Sequence, residues 1–597
     1  MKSYKKSLLF CSSVLILAIS LYSCKKDFLD NVKKTQLTDD TQWASEGNAD
    51  IYLNDLYNNL PSMYNSPENL DNFTDDNDAG FYYGSNNFKQ GIVNPASTNY
   101  SIWGGDAGPA DIDRFNWTAS YSTIRKCNLF IQKITANKQN FSADWFNKRL
   151  DEARFLRAFY YSNLFLHLGG VPIITEPQSR EDTTTLFTAR STYAETLNFL
   201  TASLDSVVND GYLPVKYNGG DANAGRATLG AALMLKGWLQ LNAASPAYNS
   251  ATAPGGPDPN NLAGFGNVDA SRWATAAATF KQFIDNYGNG SPYELFPEDS
   301  TLWFEANEYN SEVIFDRQYV ANTFGSSFEQ YGGPVWILNN YYTWGNYCPT
   351  QELVDQFFMA NGKAITDPTS GYEPQHPYVN RERRFYKWIV YDGAPYKMDW
   401  MPKEDTIYTR IDQVNPSKNQ IDFASDDVGN TAYYFKKKLN PLVRPGGNVS
   451  GANYVYFRYT EVLLGYAEAQ NEAVGPDASV YDAINKIRER SDLPPLPDGL
   501  DQSQMREAIH HERRVELCFE NKRFYDIIRW KIADKVLSVD RHAMKITNTS
   551  PTNNSGVWKY EVIPLNHPHV FNMKMYLNPI PQPVIAQNPK LVQNPGY

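Results

Sequence analysis

The chain has 597 residues and a formal net charge of −11, from 55 basic and 66 acidic side chains. That acidity argues against nucleic acid as a partner and against adsorption to anionic lipid, and it mildly favours neutral or basic ligands. The length requires several layers or lobes, and 40 Tyr, 31 Phe and 13 Trp make aromatic content the compositional outlier.

Lys2, Lys5 and Lys6 precede an apolar run from Leu8 to Leu21 that closes on Leu21-Tyr22-Ser23-Cys24. A basic region, an apolar region too short to span a bilayer and a small residue at the junction describe a secretory signal over residues 1–23. With Leu at −3 and Ser at −1, the junction looks like a bacterial lipobox, in which the thiol of Cys24 is acylated and becomes the mature N-terminus. Removing residues 1–23 takes three lysines and no acid, so the body carries 52 basic and 66 acidic side chains. Residues 24–42 follow as a polar tether, acidic through Asp27, Asp30, Asp39 and Asp40. Cys127, Cys348 and Cys518 lie far apart without CxxC spacing, which fits neither a disulfide framework nor a zinc site.

Apolar residues at helical spacing predict helices over Asn48–Leu60, Tyr121–Ala136, Ala143–Leu168, Thr192–Val208, Ala224–Ala244 and Ala270–Tyr287. The third is apolar on both sides, which sandwiches it between neighbours, and Gly169-Gly170-Val171-Pro172 ends it. Gly225, Gly230 and Gly237 allow partner helices to approach the fifth closely. Pro61–Asn116 shows no period and reads as loops, and a loop of that length in a folded protein is more often functional than idle. Residues 288–450 are rich in Pro, Gly, Asn and aromatics. They hold strand-like runs at Glu312–Phe315 and Lys387–Tyr391 and one short helix, Gln351–Met359. Helices resume at Tyr456–Ala473, Ser479–Arg490, Ser503–Phe519 and Lys522–Leu537, and the proline-rich Leu577–Tyr597 reads as an extended strap. The expected fold is mainly α: a tetratricopeptide-like α-solenoid scaffold with an irregular, loop-rich inserted subdomain containing short strands. Its expected parts are a helical region at 43–287, the irregular subdomain at 288–450, and a second helical region with its tail at 451–597.

No GxSxG, Walker, HExxH or dinucleotide pattern is present. Glu512 and Glu516 stand one turn apart and invite a catalytic reading. Glu512, however, falls within the apolar stripe of Met505, Ala508, Val515 and Phe519, where a carboxylate must pair with arginine or lose its charge. Glu512, Glu516 and Arg523 are therefore assigned to structural ion pairs, with Arg523, Arg529, Arg154 and Arg157 as available partners. His510 and His511 point to different helix faces, and His567 and His569 flank a proline with no acid nearby. The acidic run from Asp75 departs from the calcium-loop template at Ala79 and Asn86. No metal or cofactor is expected.

Several stretches together resemble the SusD/RagB family: the lipobox, Glu152–Ala158, the run FLHLGGVP from Phe165 to Pro172, Arg458–Leu464 with Ala467-Glu468-Ala469, Ile484–Arg488, Glu512–Trp530 (ERRVELCFENKRFYDIIRW) and the closing Asn594-Pro595-Gly596-Tyr597. One departure is Asn521, where the family commonly has glycine; asparagine also tolerates the left-handed conformation of a helix C-cap. The resemblance implies a non-enzymatic outer-membrane lipoprotein displayed at the cell surface, with a tetratricopeptide-like scaffold and an irregular ligand-binding face. Such a protein sits as a hinged lid over a SusC-like, TonB-dependent barrel transporter and delivers to it an oligosaccharide or, in some members, a peptide.

No family motif carries ligand contacts over residue by residue, so composition ranks the segments. Sugar rings pack on flat aromatic faces and need polar partners at the rim. Tyr331–Tyr347 ranks first, with Trp336, Tyr341, Tyr342 and Trp344 among glycines and asparagines. The 71–116 loops rank second, with Asp75, Asp76 and Trp103, and Trp388–Trp400 third. Two alternatives stand beside a glycan binder: a peptide binder of the same architecture, and a secreted glycoside hydrolase, which needs two carboxylates about 5–10 Å apart in a cleft.

Overall fold

The structure, a computed structural model, describes residues 39–65, 69–78, 86–96, 117–421, 429–447, 449–550, 556–565 and 569–597. The signal, Cys24, most of the tether, Trp103 and His567 lie outside these.

The principal helices are α1 (Glu46–Asn58), α2 (Trp117–Ala136), α3 (Ala143–Leu168), α4 (Tyr193–Asp210), α5 (Leu229–Ala244), α6 (Ser271–Tyr287), α7 (Tyr459–Val474), α8 (Ala478–Arg490), α9 (Gln502–Glu516) and α10 (Arg523–Arg529). Local chemistry sets their starts. Ser45, Ser142, Thr192, Thr228, Asp477 and Asp501 each accept a first-turn backbone N–H on the side chain, satisfying a donor the helix cannot. Gly169, at φ 78°, ends α3.

From α2 to α8 each helix packs on the next: α2 on α3, α3 on α4, α4 on α5, α5 on α6, α6 on α7, and α7 on both α8 and α9. The fold is mainly helical, and α6 and α7 are neighbours although residues 288–458 separate them. The irregular segment is thus looped out of a continuous helical stack. Its strands are short: β1 (Val313–Arg317), β2 (Trp336–Ile337) and β3 (Tyr341–Tyr342), with β4 (Tyr454–Arg458) returning to the stack. β1 and β4 pair antiparallel and form the stem of the loop-out.

Phe280 on α6 shows how closely the stack is fitted. A Cβ on Gly237 of α5 would lie 2.8 Å from its Cε1, and one on Gly465 of α7 would lie 2.5 Å from its Cζ. Two glycines on flanking helices make room for one ring. Gly465→Ala should therefore overpack the α6–α7 contact and cost about 1–3 kcal/mol in urea unfolding. An unchanged midpoint would mean that the stack yields without strain.

Several expected boundaries shift for physical reasons. Tyr456 and Phe457 are extended because β1 captures them, so the helix starts at Tyr459. Lys387 and Trp388 close a short helix, Arg383–Trp388, leaving only Ile389–Val390 extended. The Gln351 helix stops at Val354. Lys522–Leu537 breaks where Lys531 adopts φ 58°. Phe519 and Asn521, at φ 58° and 62°, turn the chain after α9. The strap contains a helical turn, Gln582–Gln587, and Arg190 clamps its end by donating to Val592 O and Asn594 Oδ1 at 2.8 and 2.9 Å. A seven-residue ribbon, His542–Asn548 against Trp558–Pro564, was not anticipated. No helix among the described residues is long and apolar enough to cross a membrane.

Candidate ligand-binding face

Residues 331–347 contain no charged side chain. They form a hairpin in which Trp336 opposes Tyr342 and Ile337 opposes Tyr341. The turn puts Leu338 and Asn339 at φ 52° and 55°, a region that asparagine visits readily and leucine rarely. Leu338 is held there from outside, its N–H donating to Asp405 Oδ2 at 2.5 Å. Asn419 brackets Trp336, accepting from its N–H at 2.8 Å and donating to its carbonyl at 2.7 Å. A two-residue ladder is too short to stand alone, so side chains from residues 405–419 hold it. Gly345, at φ 58°, lets the chain turn under Val335, whose Cγ2 would lie 2.5 Å from a Cβ there.

Alternation along the strands sorts the aromatics. The Trp336 and Tyr342 rings meet edge to face at 5.2 Å, and the Tyr342 and Trp344 rings lie 6.4 Å apart. These three make one strip. Tyr341 turns the other way, its ring 4.8 Å from Trp400, and Ile337 enters a small second core with Val335, Val390, Tyr396 and Tyr434. The structure thus unites three of the four expected aromatics and turns the Tyr341 ring to Trp400 on the other side, while Trp336 and Tyr341 both also pack against this core. Tyr342 is 41 % exposed and the other two are half-buried. Lys418 Nζ stands 4.1 Å over the Trp336 ring, a neighbour the sequence reading missed because it lies 82 residues further on.

The second-ranked segment adjoins the first, but through its backbone and the Asn77 amide. Asp78 N–H donates to Cys348 O at 3.0 Å, Thr350 N–H to Asp76 O at 3.0 Å, and Cys348 N–H to Asn77 Oδ1 at 2.7 Å. The carboxylates of Asp75 and Asp76 turn inward, which corrects their expected place at a ligand rim. Arg523 grips Asp75 through two nitrogens at 2.9 and 2.8 Å, and Arg514 reaches Asp75 at 2.9 Å and Asp76 at 2.6 Å. The two acids are 5 % and 1 % exposed, so neither can serve a ligand. Of the third segment, Trp388 is buried and Trp400 backs Tyr341.

Glu512 and Glu516 lie in a buried ion network whose arginines differ from those anticipated. Arg384 reaches Glu512 at 2.6 Å and Glu516 at 3.0 Å, while Arg458 and Arg490 reach Glu516 at 2.9 and 2.5 Å. Arg523 serves Asp75, Arg529 serves Glu468 and Asp526, and Arg154 serves Asp151 and Asp210. Arg157 donates to Asn128. Burial pushes the Glu516 carboxyl up, but Arg490, Arg458 and Arg384 outweigh it and hold the group well below the usual range. Such a cluster makes ion pairs and offers no proton-transfer pair in an open cleft. Among the described residues, no group of three or more His, Cys, Asp or Glu is placed to hold a metal ion.

Buried carboxyls shift in both directions in this interior, according to whether a cation outweighs burial, which predicts a pH profile. Glu520 is pushed up by burial yet brought down to about 2 by Arg458 and Lys437. As pH falls below about 4, the unfolded chain takes up this proton first, and stability is lost towards pH 2. Burial drives Glu329 up to about 7, and Asp71 also to about 7 against the pull of Lys438. The folded chain keeps those protons after the unfolded chain has released its own, so stability also declines as pH rises from about 4 to 7. Burial also brings His167 and His511 down to about 4, which opposes part of that decline. Glu308, raised to about 8, and Asp316, raised to about 6, add to it, so thermal melts should peak at mildly acidic pH. A monotonic rise from pH 3 to 8 would contradict the buried, protonated carboxyls.

A cleft of about 580 Å³ lies elsewhere, lined by Trp117, Tyr121 and Arg125 of α2, Phe187, and Gln587 and Leu591 of the strap. It shares no residue with the hairpin strip.

Residues 311–597 match the model of the SusD family, and residues 27–214 match a second model described as starch-binding, associating with the outer membrane. SusD-like protein P25 of Formosa agariphila is 24% identical over 86% of this chain and 88% of its own length. SusD-like protein P2 of the same organism is 30% identical, but over only 33% of this chain and 38% of its own length. Two crystal structures from Bacteroides fragilis NCTC 9343 share the architecture. A SusD-like protein superposes with TM-score 0.74 and 26% identity, covering 94% of this chain and 99% of that one. A SusD-like carbohydrate-binding protein superposes with TM-score 0.71 and 23% identity, covering 92% and 100%.

Proposed function

The chain belongs to the SusD/RagB family, and on that footing we propose that it is an outer-membrane lipoprotein facing the cell surface, which binds a nutrient oligosaccharide and delivers it to a SusC-like, TonB-dependent transporter. The observation that carries the ligand class is the strip of Trp336, Tyr342 and Trp344 on a hairpin without charge. A pyranose ring offers C–H groups to such a surface, and the exposed Asn339 and Asn340 at the tip can meet its hydroxyls. The relative named as carbohydrate-binding and the family model described as starch-binding support the same class. That model's description also supports the membrane. The prominent carboxylates are spent in ion pairs, so the chain is read as a binder and not an enzyme.

Cys24 supplies the anchor in this reading. Cys24→Ser should release the protein from the outer-membrane fraction and abolish growth on the cognate polysaccharide, while the purified ectodomain keeps its affinity. Loss of binding by that ectodomain would refute a body that works independently of its anchor. A screen of the ectodomain against oligosaccharides and peptides decides the class, and selective peptide binding would favour the peptide alternative.

A further inference from the structure

Resting on the hairpin as the ligand face, we infer that the strip takes an acidic oligosaccharide, one carrying uronate or sulfate groups, and that Lys418 is the residue that selects it. The hairpin has no charge of its own, so its electrostatics come from neighbours. Asp405 is committed to the Leu338 N–H at 2.5 Å. Lys418 stands 4.1 Å over the Trp336 ring and donates one hydrogen bond, to Asn339 O at 2.9 Å. It is exposed, and no carboxylate among the described residues lies within ion-pair distance. On the opposite side of the hairpin, Arg444 lies 5.7 Å from the Tyr341 ring and is likewise exposed without a carboxylate partner among the described residues.

A sugar ring seated on Tyr342 and Trp336 therefore lies beside an ammonium group with N–H donors to spare. A neutral hydroxyl accepts a hydrogen bond from the ammonium but brings no opposite charge. A carboxylate or sulfate adds the Coulomb attraction of an ion pair to that bond. The body's 66 acidic against 52 basic side chains suggest the opposite preference, but at physiological salt fields are screened over about 8 Å, so the cation at the strip outweighs acids elsewhere. On an acidic body, Lys418, without a carboxylate partner among the described residues, adds attraction for an acidic group where the ligand would sit.

Binding of the purified ectodomain tests this with four probes: oligogalacturonate for the carboxylate arm, chondroitin sulfate oligosaccharides for the sulfate arm, and neutral galacto- and xylo-oligosaccharides. At least one acidic probe should bind, more weakly at about 0.5 M than at about 0.05 M salt. Lys418→Met keeps an unbranched stem on the Trp336 face and should weaken that probe about tenfold at low salt, with a flatter salt dependence. Tyr342→Ala should weaken it at every salt concentration. Neutral probes bound as tightly as acidic ones, insensitive to salt and to Lys418→Met, would overturn the acidic preference and leave the ligand face standing. A bound probe that ignores Tyr342→Ala would overturn the face itself, and failure to bind any probe of either kind would overturn both.

Discussion

Arg458→Met should destabilise the protein by about 3–5 kcal/mol, the range for removing one partner from a buried ion cluster. Arg458 is 1 % exposed. Its Nη1 reaches Glu312 at 2.6 Å and Glu516 at 2.9 Å, and its Nη2 reaches Glu520 at 2.8 Å and the Glu516 carbonyl at 3.0 Å. Three carboxylates would lose their shared cation while remaining out of water. Arg490 still reaches Glu312 and Glu516, and Lys437 still reaches Glu520, so the residual charge is reduced but not cancelled. The position compounds the effect. Arg458 ends β4 and precedes α7, Glu312 precedes β1, and Glu516 ends α9. One guanidinium thus joins the stem of the loop-out to the helical stack. Arg458→Lys keeps a charge but loses the fork that serves several acids at once, and should fall between the two. Urea unfolding followed by near-UV circular dichroism measures all three proteins. A loss below about 1 kcal/mol for Arg458→Met would mean that the cluster is hydrated or redundant.

The same network shows what can be read from sequence and what cannot. The burial of Glu512 was legible, because it falls in the apolar stripe of its own helix, and burial demands a partner. The partner's identity was not, because Arg384 lies 128 residues away. Asp75 and Asp76 misled for a related reason. A run of acids in a polar loop looks solvated, and nothing nearby announces Arg514 and Arg523, more than 400 residues further on. Helices were legible where their own sequence determines them. α3 runs from Ala143 to Leu168 as expected, with Ser142 and Gly169 marking its ends. Where a remote strand decides, local reading failed: Tyr456 and Phe457 fit a helix until β1 pairs with them. The hairpin lies between these cases. Its aromatic excess was visible in composition, but which rings share a face depends on a register fixed by Asn419 and Asp405 from outside.

That register makes the sharpest prediction about the ligand face, because Tyr341 and Tyr342 are adjacent in sequence and opposite in orientation. Tyr342→Ala or Trp336→Ala should weaken the bound oligosaccharide by about 1–3 kcal/mol, the range found when a stacking aromatic is removed from a base. The double variant should lose more than either, but less than their sum, since the two rings touch at 5.2 Å and share one ligand surface. Tyr341→Ala should behave differently. Its ring packs against Trp400 at 4.8 Å on the other face, beside the small second core, so its loss should lower the unfolding midpoint and change affinity little. Calorimetric titration and urea unfolding on the same set of variants separate the two outcomes. Equal loss of affinity at positions 341 and 342, with equal loss of stability, would mean that the hairpin merely fills space. A split, with affinity following Tyr342 and stability following Tyr341, is what the alternation of a β-strand requires of a ligand face built on one side of it.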